Sequence, residues 1–201
     1  MIGRNQQLLR VDFEQAPGEP MLARTAQSVR EKLSSCGVLV LSDYGKGALA
    51  RIETLIAMGR QANRTVIVDP KGDDYGPYAG ATVLTPNRAE LREVVGSWRD
   101  ETDLRARAQA LRESLDVRYL LLTRSEEGMT LFSSDGALDV AAQAREVYDV
   151  SGAGDTVVAV LASMIAAGRP MDEAVRLANR AAGIVVGRLG TAAATPQELF
   201  V

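Results

Sequence analysis

The 201-residue chain contains no histidine. That absence removes the Ser-His-Asp triad, the usual imidazole base and the commonest zinc ligand together, so any chemistry must rest on carboxylates, Lys/Arg, hydroxyls and backbone. Cysteine is nearly as scarce. Cys36 stands alone, so no internal disulfide can form and nothing points to an oxidising compartment. The chain has no basic block and a net charge of −3, which argues against a nucleic acid or an anionic membrane surface as partner. Any phosphate must therefore be bound locally, not by bulk charge. No apolar run approaches the ~18 residues of a membrane span, and Met1–Gln7 is too polar for a signal peptide. A soluble, cytoplasmic protein is expected. With no repeat, low-complexity tract or obvious linker, one domain over residues 1–201 is the default.

Two familiar phosphate loops are also missing. Gly45-Lys46-Gly47 lacks the upstream glycine and the hydroxyl residue of a Walker loop. Gly152-Ala153-Gly154 lacks the third glycine of the dinucleotide fingerprint, because Val157 stands there, and it precedes the final helices instead of following a first strand.

What is present is an ordinary globular composition, 46% hydrophobic and 24% charged, enough to bury a sizeable core. Four short apolar runs, Val38–Leu41, Thr65–Val68, Thr82–Leu84 and Tyr119–Leu122, read as buried parallel strands. Helical spacing over Ala48–Gln61, Asn87–Val95 and Glu101–Leu115 separates most of them. Beyond Arg124, Met129–Phe132 and Leu138–Val140 read as an antiparallel pair around Ser134-Asp135-Gly136. Helices over Ala153–Ala167 and Met171–Arg188 follow. The pattern predicts an α/β fold with helices on both faces of a mostly parallel sheet. In such sheets ligands bind outside the carboxyl ends of the strands. Here those ends carry Ser42-Asp43-Tyr44-Gly45-Lys46-Gly47, Asp69-Pro70-Lys71-Gly72, Thr85-Pro86-Asn87-Arg88-Ala89-Glu90 and Thr123-Arg124-Ser125. Their Gly and Pro punctuation beside charged groups suggests one shared site.

The most informative stretch is Asp149-Val150-Ser151-Gly152-Ala153-Gly154-Asp155. A helix start leaves unpaired N–H groups and a partial positive charge, so this backbone could wrap phosphate oxygens while Asp155 faces a reacting hydroxyl. A plain capped helix, with Ser151 as N-cap and Asp155 in the first turn, accounts for single residues equally well. It does not account for two glycines within three residues, which cost backbone entropy and add no packing. Asn87-x-x-Glu90 has two readings likewise. It resembles a capping box, and it also puts an amide and a carboxylate on one helix face, able to hold a hydrated magnesium ion and nucleotide phosphates.

Asp149-x-x-Gly152-Ala153-Gly154-Asp155 resembles the second signature of the ribokinase-like (PfkB) carbohydrate kinases, and Asn87-x-x-Glu90, about seventy residues upstream, matches a second element of that family. The segments Arg4–Phe13, Leu41–Leu49, Asp69–Gly72, Leu122–Glu126 and Gly183–Thr191 are similar to its D-glycero-β-D-manno-heptose-7-phosphate kinase branch. The resemblance implies a three-layer α/β/α sandwich and ATP-dependent phosphorylation of the anomeric hydroxyl, giving the 1,7-bisphosphate on the route to ADP-heptose and lipopolysaccharide core. It implies Asp155 as base and Gly152, Ala153 and Gly154 as anion hole. Asn87, Arg88, Ala89, Glu90, Lys71, Thr123, Gly128 and Asn179 fall on the ATP side, with Glu90 holding Mg2+ through water. Lys46 is a further candidate for substrate phosphate, although it and Lys71 also read as solvated loop charges. Asn179 reads equally as a solvent-facing helix residue. The family's amino-terminal strand with an early Asp and its Gly-Gly-x-x-x-Asn segment have no counterpart here, and Met1–Asp12 aligns with a lid strand. The resemblance thus places the phosphoryl-transfer half of the site in this chain and much of the sugar pocket and lid outside it. It leaves a sheet edge exposed that a homodimer could cover. Another phosphorylated sugar, or nucleotide binding without catalysis, remains an alternative.

Overall fold

The computed structural model describes residues 2–3, 6–7, 11, 13, 15–143 and 147–200. Ile2–Gly3 (β1) and Gln6–Gln7 (β2) pair antiparallel. The rest of the expected lid segment over residues 1–12 lies outside the described residues, save Val11.

The main sheet has six strands in sequential order: β3 (Val38–Ser42), β4 (Thr65–Asp69), β5 (Val83–Leu84), β6 (Tyr119–Thr123), β7 (Met129–Ser133) and β8 (Gly136–Val140). The first four run parallel and the last two antiparallel, as the apolar runs predict. Alternation sends the side chains to opposite faces. Val66 and Val68 pack with Ile52, Leu55 and Ile56 of α2 (Ile52–Gln61). Leu120 and Leu122 pack with Leu91 of α3 (Arg88–Val95) and Leu104 of α4 (Glu101–Ser114). On the other face, Ile67, Val83 and Leu121 meet Val157 and Leu161 of α5 (Ala153–Ala166) and Ala174, Val175 and Ala178 of α6 (Met171–Val186). The result is the three-layer sandwich. At about 25 cal/mol per Å², these fully buried aliphatic side chains are its principal source of stability.

Three local expectations are revised. Helix α2 begins at Ile52, not Ala48, because Gly47–Arg51 is taken up by tight turns, with Ala50 N–H bonded to Gly47 O and Ile52 N–H to Leu49 O. The final long helix closes at Val186, where Arg188 N–H turns back to Val185 O. A helix over Glu19–Lys32 (α1) has no counterpart in the sequence reading. It buries no residue completely, though Ala26 and Val29 pack against the core. Its signals are the terminal ones: Pro20 in the first turn beside Glu19, and Arg30 and Lys32 in the last. A short helix, α7 (Pro196–Leu199), ends the described chain behind a Thr195–Glu198 capping box.

Candidate active site

Because β3 to β6 run parallel in order, their carboxyl ends open on one side of the sheet. Ser42 and Asp69 are register partners at the ends of β3 and β4, and an isolated parallel bridge joins Asn87 to Thr123 beyond β5 and β6. The start of α5 faces this row. Tyr44, Asp69, Asn87, Glu90, Gly154 and Asp155 are among the walls of a cavity of about 200 Å³ between them. A second, more apolar cavity of about 370 Å³ adjoins it, sharing Asn87, Thr123, Gly154 and Val157 and extending past Gly128, Met129 and Asn179.

The helix start differs from a simple cap. The N-cap is Gly152, not Ser151; its φ of 78° is left-handed and no side chain caps it. That conformation explains the first glycine. Ser151 N–H instead donates to Asp149 Oδ1 at 2.9 Å, and Gly190 N–H donates to Asp149 Oδ2 at 3.2 Å. These contacts hold the Asp149 carboxyl below its usual range and tie the turn to the end of α6. Gly154 has ordinary helical geometry, and a Cβ there would meet nothing within 4 Å. Neither strain nor packing requires this second glycine; its effect is to leave the backbone open to the cavity. Ala153 N–H turns back to Val150 O at 3.2 Å. Among the described residues no acceptor takes the N–H groups of Gly152, Gly154 or Asp155. Unpaired donors at a helix start are the chemistry that an anion accepts.

Opposite, the capping-box reading of Asn87 and Glu90 holds. Asn87 Oδ1 accepts from Ala89 and Glu90 N–H at 2.8 and 3.0 Å, while Glu90 Oε2 accepts from Asn87 N–H at 3.0 Å. The reciprocal cap locks both side chains at the cavity wall. Glu90 Oε1 is left to Lys71 Nζ at 3.3 Å. Lys71 lines neither cavity and reaches the site through Glu90; exposed Lys46 also lines neither, nor do Arg88 and Ala89. Arg88 pairs with Glu127, which also pairs with Arg124. The half-buried Arg124–Glu101 pair, at 2.6 Å, anchors that network to α4 and so braces the Ser125–Gly128 loop over the second cavity. Asn179 is buried, not solvent-facing.

Tyr44 and Asp69 stand in strand-end segments that the sequence assigns to one shared site, but it gives neither a role of its own. Tyr44 Oη donates to Asp155 Oδ1 at 3.0 Å, and this bond holds the phenol above its usual value. Asp69 accepts from Thr85 Oγ1 at 3.1 Å and Ser42 Oγ at 3.3 Å; burial raises its carboxyl above the ordinary value. Their signal was position, directly after or at the last residue of a parallel strand. Among the described residues no three Asp or Glu side chains cluster to enclose a bare cation. Asp69, Glu90 and Asp155 stand as separate carboxylates around one cavity, a set that fits a magnesium ion keeping most of its waters and shared with phosphates.

This fold, with its strand ends opening on one cavity, leads to the PfkB class of proteins. The family model described as pfkB family carbohydrate kinase matches residues 21–198, and the chain belongs to that family. It is 55% identical over 199 residues to the D-beta-D-heptose 7-phosphate kinase of Bordetella bronchiseptica, covering 99% of this chain and 64% of that protein. It is likewise 55% identical over 201 residues to the bifunctional protein HldE of Alcanivorax borkumensis, covering 99% of this chain and 42% of that one. The chain thus spans less than two thirds of these curated relatives. The fold matches Escherichia coli phosphofructokinase-2 in complex with potassium (TM-score 0.79, 20% identity, 92% of this chain and 61% of that one). It also matches Arabidopsis thaliana ribokinase complexed with ribose and ATP (TM-score 0.73, 22% identity, 82% and 54%). Among the described residues no helix is long and apolar enough to cross a membrane.

Proposed function

We propose that this chain carries the phosphoryl-transfer centre of an ATP-dependent kinase that phosphorylates the anomeric hydroxyl of D-glycero-β-D-manno-heptose 7-phosphate. The observation that carries the reading is the meeting, in one cavity, of the unpaired N–H groups of Gly152 and Gly154 with Asp155, opposite Asn87 and Glu90. The identity of the sugar rests on likeness to relatives named for the heptose 7-phosphate reaction.

ATP enters with its base and ribose in the larger cavity and its phosphates across the neck shared with the smaller one, past Asn87, Thr123 and Gly154. The Gly152 and Gly154 donors then meet the charge on the equatorial oxygens of the γ-phosphoryl group. Asp155 accepts the proton of the sugar hydroxyl; the sugar oxygen bonds to γ-phosphorus as the bond to the β-bridging oxygen breaks, and ADP leaves. The transition state is loose, so proton removal comes late and a carboxylate suffices as base. Glu90, with Asp69 nearby, would hold a hydrated Mg2+, which would supply charge neutralisation to the phosphates. Lys71 positions the Glu90 carboxylate.

Asp155→Asn should reduce ATP-dependent formation of the bisphosphate by at least about 10²-fold while ATP affinity persists. Full turnover by that variant would remove Asp155 as base. Preference for fructose 6-phosphate over heptose 7-phosphate would keep the centre and change its substrate.

A further inference from the structure

We propose that Tyr44 is a positioning residue for Asp155, holding the carboxylate away from its own helix start so that the anion site stays open. This rests on the reading of Asp155 as base. Asp155 is the third residue of α5, the position from which an acidic side chain ordinarily folds back to accept from the N-cap N–H. That N–H belongs to Gly152, one of the donors assigned to the phosphoryl group. A carboxylate left to itself would therefore close the site it serves. Instead, Oδ1 is taken by the Tyr44 hydroxyl at 3.0 Å, across 111 residues of sequence, and among the described residues the Asp155 carboxylate accepts no bond from Gly152 N–H. Oδ2 is left for the acceptor hydroxyl.

Tyr44 can do this because its loop is anchored, even though its side chain is 62% exposed. Asp43 N–H donates to Asp69 O at 2.9 Å, and Gly45 N–H donates to Asp43 Oδ1 at 2.8 Å. Asp43 Oδ2 lies 2.9 Å from the Tyr78 hydroxyl, which also lies 2.9 Å from Lys71 O. The same phenol thus ties the Tyr44 loop to the Lys71 loop, and Lys71 in turn reaches Glu90. The two carboxylates on opposite walls are held in one frame.

The test is Tyr44→Phe in the full chain, which removes one oxygen from an exposed side chain and should leave the melting temperature unchanged. Its kcat with ATP and heptose 7-phosphate should fall about tenfold, the worth of one hydrogen bond to a charged group, with both KM values within about twofold. A loss confined to the sugar KM, or no loss, overturns the proposal. A readout independent of turnover is the amide proton resonance of Gly152. In Tyr44→Phe it should move downfield as Asp155 folds back to cap it, whereas an unchanged resonance overturns the proposal. Asp155→Asn separates the two ideas: if it abolishes turnover while Tyr44→Phe matches the parent in both readouts, only the role of Tyr44 fails; if it turns over normally, the base assignment fails.

Discussion

The side-chain amide of Asn179 donates to the carbonyl of Ala141 at 2.8 Å. This bond joins the middle of α6 to the chain leaving β8; Asn179 lines the larger cavity, as do Ala142 and Gln143 directly after Ala141. Asn179 is 3% exposed, so its polar atoms need partners inside the protein. The bond therefore fixes the position of a wall that the family resemblance puts on the ATP side.

Replacing Asn179 with leucine should destabilise the protein by about 1 kcal/mol, the net worth of the hydrogen bond that the buried Asn179 makes to Ala141 O. Urea denaturation measures that loss. ATP affinity should fall with it, since the Ala141–Gln143 wall is no longer held; titration calorimetry with a non-hydrolysable ATP analogue checks this. Stability and affinity both unchanged would show that the bond holds nothing.

Gly128 lies across the same wall. Its φ is 94°, and a Cβ there would sit 2.1 Å from Val140 O and 2.6 Å from Ala142 N. Both obstacles are backbone, so no rotamer change relieves them. Gly128→Ala should cost roughly 1–3 kcal/mol from strain alone and more from the clash. Because it displaces the segment that Asn179 holds, the two substitutions should not add in a double-mutant cycle. Simple additivity in thermal melts would uncouple them.

Tyr78 makes the alkaline limb of stability testable. Burial pushes its phenol from 10.0 to about 12, opposed by its contact with Lys71 backbone and reinforced by Asp43. A phenol with a raised folded value contributes stability that is fully present below pH 10.0 and is lost as pH rises towards about 12. Tyr78→Phe lacks this proton. It should be less stable than the parent at pH 8, by about 1 kcal/mol for the lost hydrogen bond, and the gap should narrow above about pH 10. Denaturation midpoints across that range give the comparison; a gap that widens instead would reverse the sign of the shift.

Much of the framework was legible because its causes are local. Val66-Ile67-Val68 and Leu120-Leu121-Leu122 are continuous apolar runs because both faces of a central strand are covered. Asn87 and Glu90 announced their helix start because a capping box needs only four residues. Helix α1 was missed although its apolar residues are spaced at least as periodically as those of α4 and α5; its terminal signals, Pro20 and Lys32, went unread. Ser151 was misplaced as a cap because nothing in its identity shows that Asp149 would take its N–H or that Gly152 would turn left-handed.

By itself the sequence determined which segments are strands and helices, and which chemical groups stand at the strand ends. It did so because periodicity, capping and turn propensity act over a few residues. Only the tertiary structure decided that Tyr44 takes the Asp155 carboxylate, that Lys71 serves Glu90 and that Asn179 braces Ala141. Each of these partners is brought within hydrogen-bond distance by sheet order and helix packing, and a bond effective only near 3 Å leaves no trace in residues tens of positions apart.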